Sequence, residues 1–462
     1  MVASGVDGAD NDGNYNKVTG LDASIIEHFR FALDRPRRSS RAESPLAPSF
    51  AAACAVCYTL FPNPGKMVRP RGGIALISVR SSRLPPFYVM EILEKAHELE
   101  LAGAHVVHME IGEPDFDTPE PVKDAVYLAL KQGKTQYTHS LGIPPLREAI
   151  ARHYFERYGV EVSPDNIVVT NGTSPGMVLV FSALMDPGDE LILSNPCYAC
   201  YPNILEFMGG VPRYVEVLEE DGFGYRPEAL EEKLAPGVKG VMVNSPSNPT
   251  GNVLSADHMR SVAEVAAGRA FVISDEIYHG LVYGEREHSM LEFTDRCFIL
   301  NGFSKLYAMT GWRLGYIISP PEFVRPLQKI QQNLMICANS FVQWAGIAAL
   351  EETGDYVTEM VEMYDRRRKF LLGRVREMGF GVTVDPTGAF YVFANARRFT
   401  NDTYRFCLEV LESAGVALTP GIDFGSAGEG YVRFSYANSI ENLELGTDRL
   451  EQFIRERGGA DA

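Results

Sequence analysis

A chain of 462 residues exceeds one ordinary hydrophobic core and has room for two domains of typical size. Its 45% apolar and 22% charged residues make a globular composition and exclude disordered or fibrous classes. With 60 acidic against 43 basic side chains, a formal charge of −17 would repel nucleic acid and anionic lipid, so neither is an expected partner.

Residues 1–66 differ from the rest. They carry a basic cluster (Arg35, Arg37, Arg38, Arg41) and then an eleven-residue apolar run, Ala51 to Phe61. That run falls short of the ~18–20 residues needed to span a bilayer. It ends at Pro62-Asn63-Pro64-Gly65 without a small-residue cleavage site. We read residues 1–66 as a disordered, dispensable extension, with Met67 the functional start. Cys54 and Cys57 form a CxxC there, without the strand-helix context of a redox site or a second pair for zinc. Seven cysteines in so long a chain speak for a reducing compartment, and the expected location is cytoplasmic.

Apolar spacing at Val89, Ile92, Leu93, Ala96 and Leu99 predicts a helix over Pro85–Ala102. His105 and His108 fall on an early strand, packed or exposed rather than metal-bound. Strands follow at Asn166–Thr170, Glu190–Leu193, Gly240–Val243, Ala270–Ser274, Cys297–Leu300 and Leu314–Ser319, with helical stretches such as Ala256–Ala267 between them. Near-continuous apolar strands separated by helices imply an α/β fold: a mostly parallel sheet covered on both faces. Residues 346–462 change character, with a long charged helix at Tyr356–Met378 and short strands at Ala389–Phe393 and Tyr431–Phe434. They read as a smaller α+β domain.

In open α/β sheets, ligands bind beyond the carboxyl ends of the strands. Those ends supply Asn171-Gly172-Thr173-Ser174, Asn244 through Asn248-Pro249-Thr250-Gly251, Asp275-Glu276-Ile277-Tyr278, and Asn301-Gly302-Phe303-Ser304-Lys305, with Arg313 eight residues beyond Lys305. Taken singly, each is ordinary: a solvated lysine, a helix cap, a turn. Together they make chemical sense. A lysine in a partly dry site loses proton affinity and can condense with an aldehyde. A carboxylate against a pyridine nitrogen keeps that ring cationic, and a helix N-terminus with an arginine fork suits a phosphate ester. Lysine, acid and phosphate cradle describe pyridoxal 5′-phosphate.

From Pro85 onward the chain resembles the class I/II aminotransferases of the aspartate aminotransferase superfamily, the type I fold of pyridoxal phosphate enzymes. The markers are Ile111-Gly112-Glu113-Pro114-Asp115-Phe116, Tyr137 to Gly142, Asn248 to Gly251, Ser274 to Tyr278, Ser304-Lys305 through Met309-Thr310-Gly311-Trp312-Arg313, and Glu429 to Arg433. The resemblance implies a seven-stranded-type sheet in a large domain (116–345). A smaller domain would be built from 67–115 and 346–462. It implies that Lys305 forms the internal aldimine and moves the proton, that Asp275 partners the pyridine nitrogen, and that Tyr278 and Asn248 bond the ring's phenolic oxygen. Arg433, Asn248 and the backbone of Gly112 would take the substrate carboxylate. Gly172, Thr173, Ser174, Ser304 and Arg313 would hold the phosphate, and Tyr198 would stack on the ring. Tyr137 would cross to the neighbouring active site of a homodimer.

The implied reaction moves the amine of an L-amino acid to a 2-oxo acid. β- or γ-elimination on the same fold is the alternative, because the fate of the carbanion depends on pocket detail. A ligand-sensing regulator would need an N-terminal DNA-binding module, and residues 1–66 carry no helix-turn-helix pattern. Three departures stand out. Gly302 replaces a frequent serine three residues before the lysine, and Ser174 replaces a lysine common among dicarboxylate-specific relatives. Cys197 and Cys200 flank Tyr198, where small apolar filling is the expected role.

Overall fold

The computed structural model describes residues 77–460. The readings on residues 1–66, on Cys54 and Cys57, and on a start at Met67 lie outside the described residues. Within them, seven strands form one sheet: β2 (Ile167–Thr170), β3 (Glu190–Asn195), β4 (Val211–Glu216), β5 (Val238–Asn244), β6 (Phe271–Asp275), β7 (Cys297–Gly302) and β8 (Gly315–Ile318), while β1 (Val107–His108) pairs elsewhere. The order is β2-β8-β7-β6-β5-β3-β4. All neighbours run parallel except β8, which is antiparallel to both β2 and β7.

The strands are apolar on both faces because both faces are buried. Val169, Ile192, Val241, Val243, Val272 and Ile299 enter one core with Leu146, Ile150 and Met259 from helices. Their alternates Val168, Leu191, Leu193, Met242, Ile273 and Phe298 enter a second core with Met177, Phe181 and Leu205. This is period-two alternation with a hydrophobic layer on each side.

β4 was not predicted. Its sequence, Val-Pro-Arg-Tyr-Val-Glu, carries a proline and polar alternates, which an edge strand with one pairing partner tolerates. The predicted strands also end short of the observed ones: β5 runs on to Asn244, β6 to Asp275 and β7 to Gly302. Polar side chains there hide strands whose backbone pairing continues.

A second, antiparallel sheet holds β9 (Tyr391–Asn395), β12 (Tyr431–Ser435) and β11 (Thr419–Pro420), beside the helix Gly354–Glu377. β1 pairs in parallel with β10 (Val416–Ala417), which ties the N-terminal segment to the C-terminal third of the chain. The expected junction at 345/346 falls inside the helix Ser340–Glu352.

Candidate active site

At the carboxyl edge of the large sheet, facing β12, lies a cavity of about 320 Å³. Gly112, Thr173, Ser174, Tyr198, Asn248, Asp275, Tyr278, Ser304, Lys305, Arg313 and Arg433 all line it, which brings together every predicted site residue but Gly172 and Tyr137.

Asp275 is the last residue of β6 rather than the first beyond it, fixed by pairing to Asn244 on β5 and Leu300 on β7. Tyr201 donates its hydroxyl to Oδ2 at 2.7 Å, and the Ile277 N–H donates to Oδ1 at 3.2 Å. Burial nevertheless pushes the carboxyl up to about 6. A buried acid raised in this way gains from a cationic N–H placed opposite it, which is what a pyridinium offers.

Lys305 follows β7 in a tight turn and donates from Nζ to the Gly112 carbonyl at 2.5 Å. Burial lowers its pKa to about 8, with Glu113 opposing and Arg433 and Arg313 reinforcing the drop. A lysine so shifted exposes a larger free-amine fraction near neutrality, the form that attacks a carbonyl.

The anion cradle sits at the N-terminus of the helix Thr173–Leu184. Its N-cap, Gly172, has φ of +96° and no side-chain cap, so the first-turn N–H groups are left for an anion. A Cβ on Gly172 would lie 2.6 Å from Arg313 Nη2, so glycine is what lets the guanidinium close over the helix end. Gly172 thus shapes the cradle from behind. The serine absent at Gly302 has a steric reason, since a Cβ there would meet the Leu314 carbonyl at 2.9 Å. Amine, acid and cradle together fit pyridoxal 5′-phosphate.

Arg433 projects from β12 and is 4% exposed. Nη1 donates to Asn248 Oδ1 at 2.8 Å, and Nη2 to the Glu110 carbonyl at 2.5 Å and to Thr419 Oγ1 at 3.1 Å. The guanidinium lies 4.4 Å from the Tyr391 ring centroid and 5.0 Å from that of Phe424, while its Nε is buried without a hydrogen-bond partner. Tyr278 and Tyr391 share a hydroxyl hydrogen bond of 2.8 Å, and burial pushes the Tyr278 phenol up. Gly112 fits against them only without a side chain, because a Cβ would fall 2.2 Å from Tyr391 Oη.

Sequence reasoning missed Tyr201, Tyr391, Phe424, Glu110 and Thr419. Tyr201 had a signal, standing three residues beyond Tyr198 at the start of the helix Cys200–Met208, with the two rings edge-on at 5.4 Å. Tyr137 is 80% exposed and lies outside this cavity. His108 departs from expectation: it is neither packed nor free, but bonds the buried Glu110 through Nδ1 at 2.7 Å and Glu100 through Nε2 at 3.2 Å. Cys197 is buried and its thiol is pushed up to about 12 by that burial, which makes it filling rather than a nucleophile.

Residues 104–450 match the family model described as aminotransferase class I and II. The (5-formylfuran-3-yl)methyl phosphate transaminase of Methanocaldococcus jannaschii is 43% identical, over 82% of this chain and 100% of its own length. The aspartate aminotransferase of Thermotoga maritima is 39% identical, over 83% of this chain and all of its own. Among solved structures, the Thermus thermophilus aspartate aminotransferase with maleate superposes with a TM-score of 0.78 at 38% identity, covering 81% of this chain and 99% of that one. A Methanococcus jannaschii protein, noted for an active site similar to kynurenine aminotransferases, gives 0.76 at 43% identity, covering 82% and 100%.

Proposed function

The chain belongs to the class I and II aminotransferases, and from that premise we propose which of its residues do the work. It is a pyridoxal phosphate-dependent enzyme that transfers the amine of an amino acid to a 2-oxo acid. When bound, the cofactor supplies an aldehyde that takes up the amine and a ring that accepts the electron pair released at Cα.

Lys305 would hold the cofactor's aldehyde carbon through Nζ, and the same Nζ, as free amine, would carry the substrate's Cα proton. Asp275, held by Tyr201 and Ile277, keeps the ring nitrogen protonated. Thr173, Ser174, Ser304 and Arg313 take the phosphate, with Gly172 opening the way for Arg313. Tyr278 and Asn248 bond the phenolic oxygen, and Tyr198 stacks on the ring. Arg433, pinned by Asn248, Glu110 and Thr419, would grip the α-carboxylate together with the Gly112 N–H and so orient the substrate's Cα in the cavity. The observation that supports this assignment is convergence: one cavity gathers an amine of lowered pKa, a buried acid of raised pKa and a pinned guanidinium.

We also read the chain as a large domain over 116–345 and a small one from 346 onward joined by the segment ending at 115. Its expected state is a cytoplasmic homodimer. Tyr137 (80% exposed), Leu334 (60%) and Ile336 (48%) are exposed apolar side chains that a second copy could cover. Among the described residues no helix is long and apolar enough to cross a membrane. Light scattering should give twice the chain mass, and Tyr137→Phe should weaken cofactor affinity if that residue crosses to the partner's phosphate.

The decisive test of the site is reduction with borohydride. The yellow protein should bleach and carry a phosphopyridoxyl mass on the peptide holding Lys305. An adduct on any other peptide overturns the assignment.

A further inference from the structure

The cavity has a side that amine transfer as such does not use. The helix Tyr88–Leu101 buries Val89, Ile92 and Ala96. Phe87, Met90 and Leu93, spaced every three residues, bring a second apolar row to the cavity, whose lining also includes Ile111. Met90 stays 45% exposed, so packing among the described residues does not account for that row.

The row is held from a distance. The helix has no side-chain cap from its own N-terminus. Instead the carboxylate of Asp423 accepts from the Tyr88 N–H at 2.9 Å and from the Val89 N–H at 3.4 Å. Glu91, one turn on, accepts from the Tyr404 hydroxyl at 2.7 Å. Asp423 is 8% exposed and belongs to the turn Gly421–Phe424, whose Phe424 ring lies against Arg433. One short turn therefore fixes both the guanidinium and the apolar row, and with them the distance between a substrate's carboxylate and its side chain.

Resting on the assignment of Arg433 to the α-carboxylate, we propose that Phe87, Met90, Leu93 and Ile111 form the side-chain subsite and select amino acids with apolar or aromatic side chains, with Asp423 the positioning residue that holds them there. Among the described residues of one chain, the cations lining the cavity are Lys305, Arg313 and Arg433, and each already has a task at the cofactor or the α-carboxylate. A second carboxylate on the substrate would lose its water against methyl and phenyl groups without an ion partner. A benzyl or isobutyl group would bury against the same surface favourably.

The test uses cofactor-loaded enzyme. Single-turnover transfer is measured for L-phenylalanine, L-leucine and L-aspartate, and calorimetry gives the Kd of 3-phenylpropanoate and of succinate, which carry no amine. Phenylalanine or leucine should exceed aspartate in kcat/KM by on the order of 100-fold, and phenylpropanoate should bind more tightly than succinate. Met90→Lys, at a half-exposed position, should narrow that ratio at least about tenfold, and Phe87→Ser should do so by weakening phenylalanine alone. Asp423→Asn should raise KM for phenylalanine while leaving kcat within about twofold, a split that general destabilisation would not give. Aspartate reacting at least as well as phenylalanine, with succinate bound as tightly as phenylpropanoate, overturns the subsite and leaves the catalytic assignment standing. Failure of every amino acid to transfer, with phenylpropanoate still preferred, would instead sink the catalytic assignment.

Discussion

The two sides of the cavity are built by different means. On the sheet side, Asp275 ends a strand paired on both flanks, Asn244 pairs opposite it, and Lys305 follows in a turn anchored at buried β7. On the other side, the apolar row stands on a helix whose first N–H groups are satisfied by a carboxylate more than three hundred residues away. The rigid side carries groups whose pKa values and angles must be right for proton movement. The tethered side carries only shape and hydrophobicity, which can vary between relatives at little cost to the chemistry. Arg433 belongs to both, pinned by Asn248 from the sheet side and flanked by Phe424 from the turn that holds the helix.

Mutations should separate the two sides. On the sheet side the largest effect falls on Lys305→Ala, with an expected loss of at least about 10⁴-fold in single-turnover rate, equal for every amino acid. A side-chain-dependent loss would mean that the sheet side also selects. Arg433→Lys keeps the charge but loses the planar fork and its ring contacts. Its kcat/KM should fall about 10- to 100-fold, again uniformly across side chains, as steady-state kinetics on the same amino acids will show.

A smaller change tests the electrostatics of the sheet side. Tyr201→Phe removes a hydrogen bond that lowers the pKa of Asp275. Burial then acts with less opposition, and the carboxyl moves further above about 6. The ionised form is the working form, so the acid limb of the pH–rate profile should shift to higher pH than in the parent enzyme. An unmoved acid limb would show that Asp275 does not govern it.

Legibility in the sequence followed the same division. Strands are short and apolar nearly to their ends, which turn polar and run into glycine, asparagine and proline, so Asp275, Asn248 and Lys305 could be placed on one edge even though the last paired residues were missed. The other side could not. Nothing local in Gly421-Ile422-Asp423-Phe424 marks Asp423 as a cap, because its helix lies 335 residues upstream. Glu110 acts on Arg433 through its carbonyl, and a main-chain contact leaves no trace in residue type. Tyr391 looks like any core strand residue until the fold places its hydroxyl beside Tyr278. Residues acting through local pattern were readable, and those acting across the fold were not.

The segment from His108 to Gly112 joins the two sides and yields the smallest expected effect on turnover. His108 bonds the buried Glu110 carboxylate, whose second oxygen is buried without a hydrogen-bond partner. That hydrogen bond, opposed by burial and helped by the charge of Glu110 and by Glu100, raises the histidine from 6.5 to about 9. A histidine raised on folding contributes stability that is fully present below the unfolded value of about 6.5 and is lost as pH rises through about 9. His108→Gln should therefore destabilise the protein by about 2 kcal/mol at pH 6, and by progressively less toward pH 9, in denaturant titrations. Turnover should change less than about threefold at either pH, because Arg433 is held by the Glu110 main-chain oxygen rather than by the carboxylate that the histidine neutralises. A collapse of turnover alongside the loss of stability would show instead that the ion pair, and not the backbone of β1 and its extension, sets the position of the guanidinium.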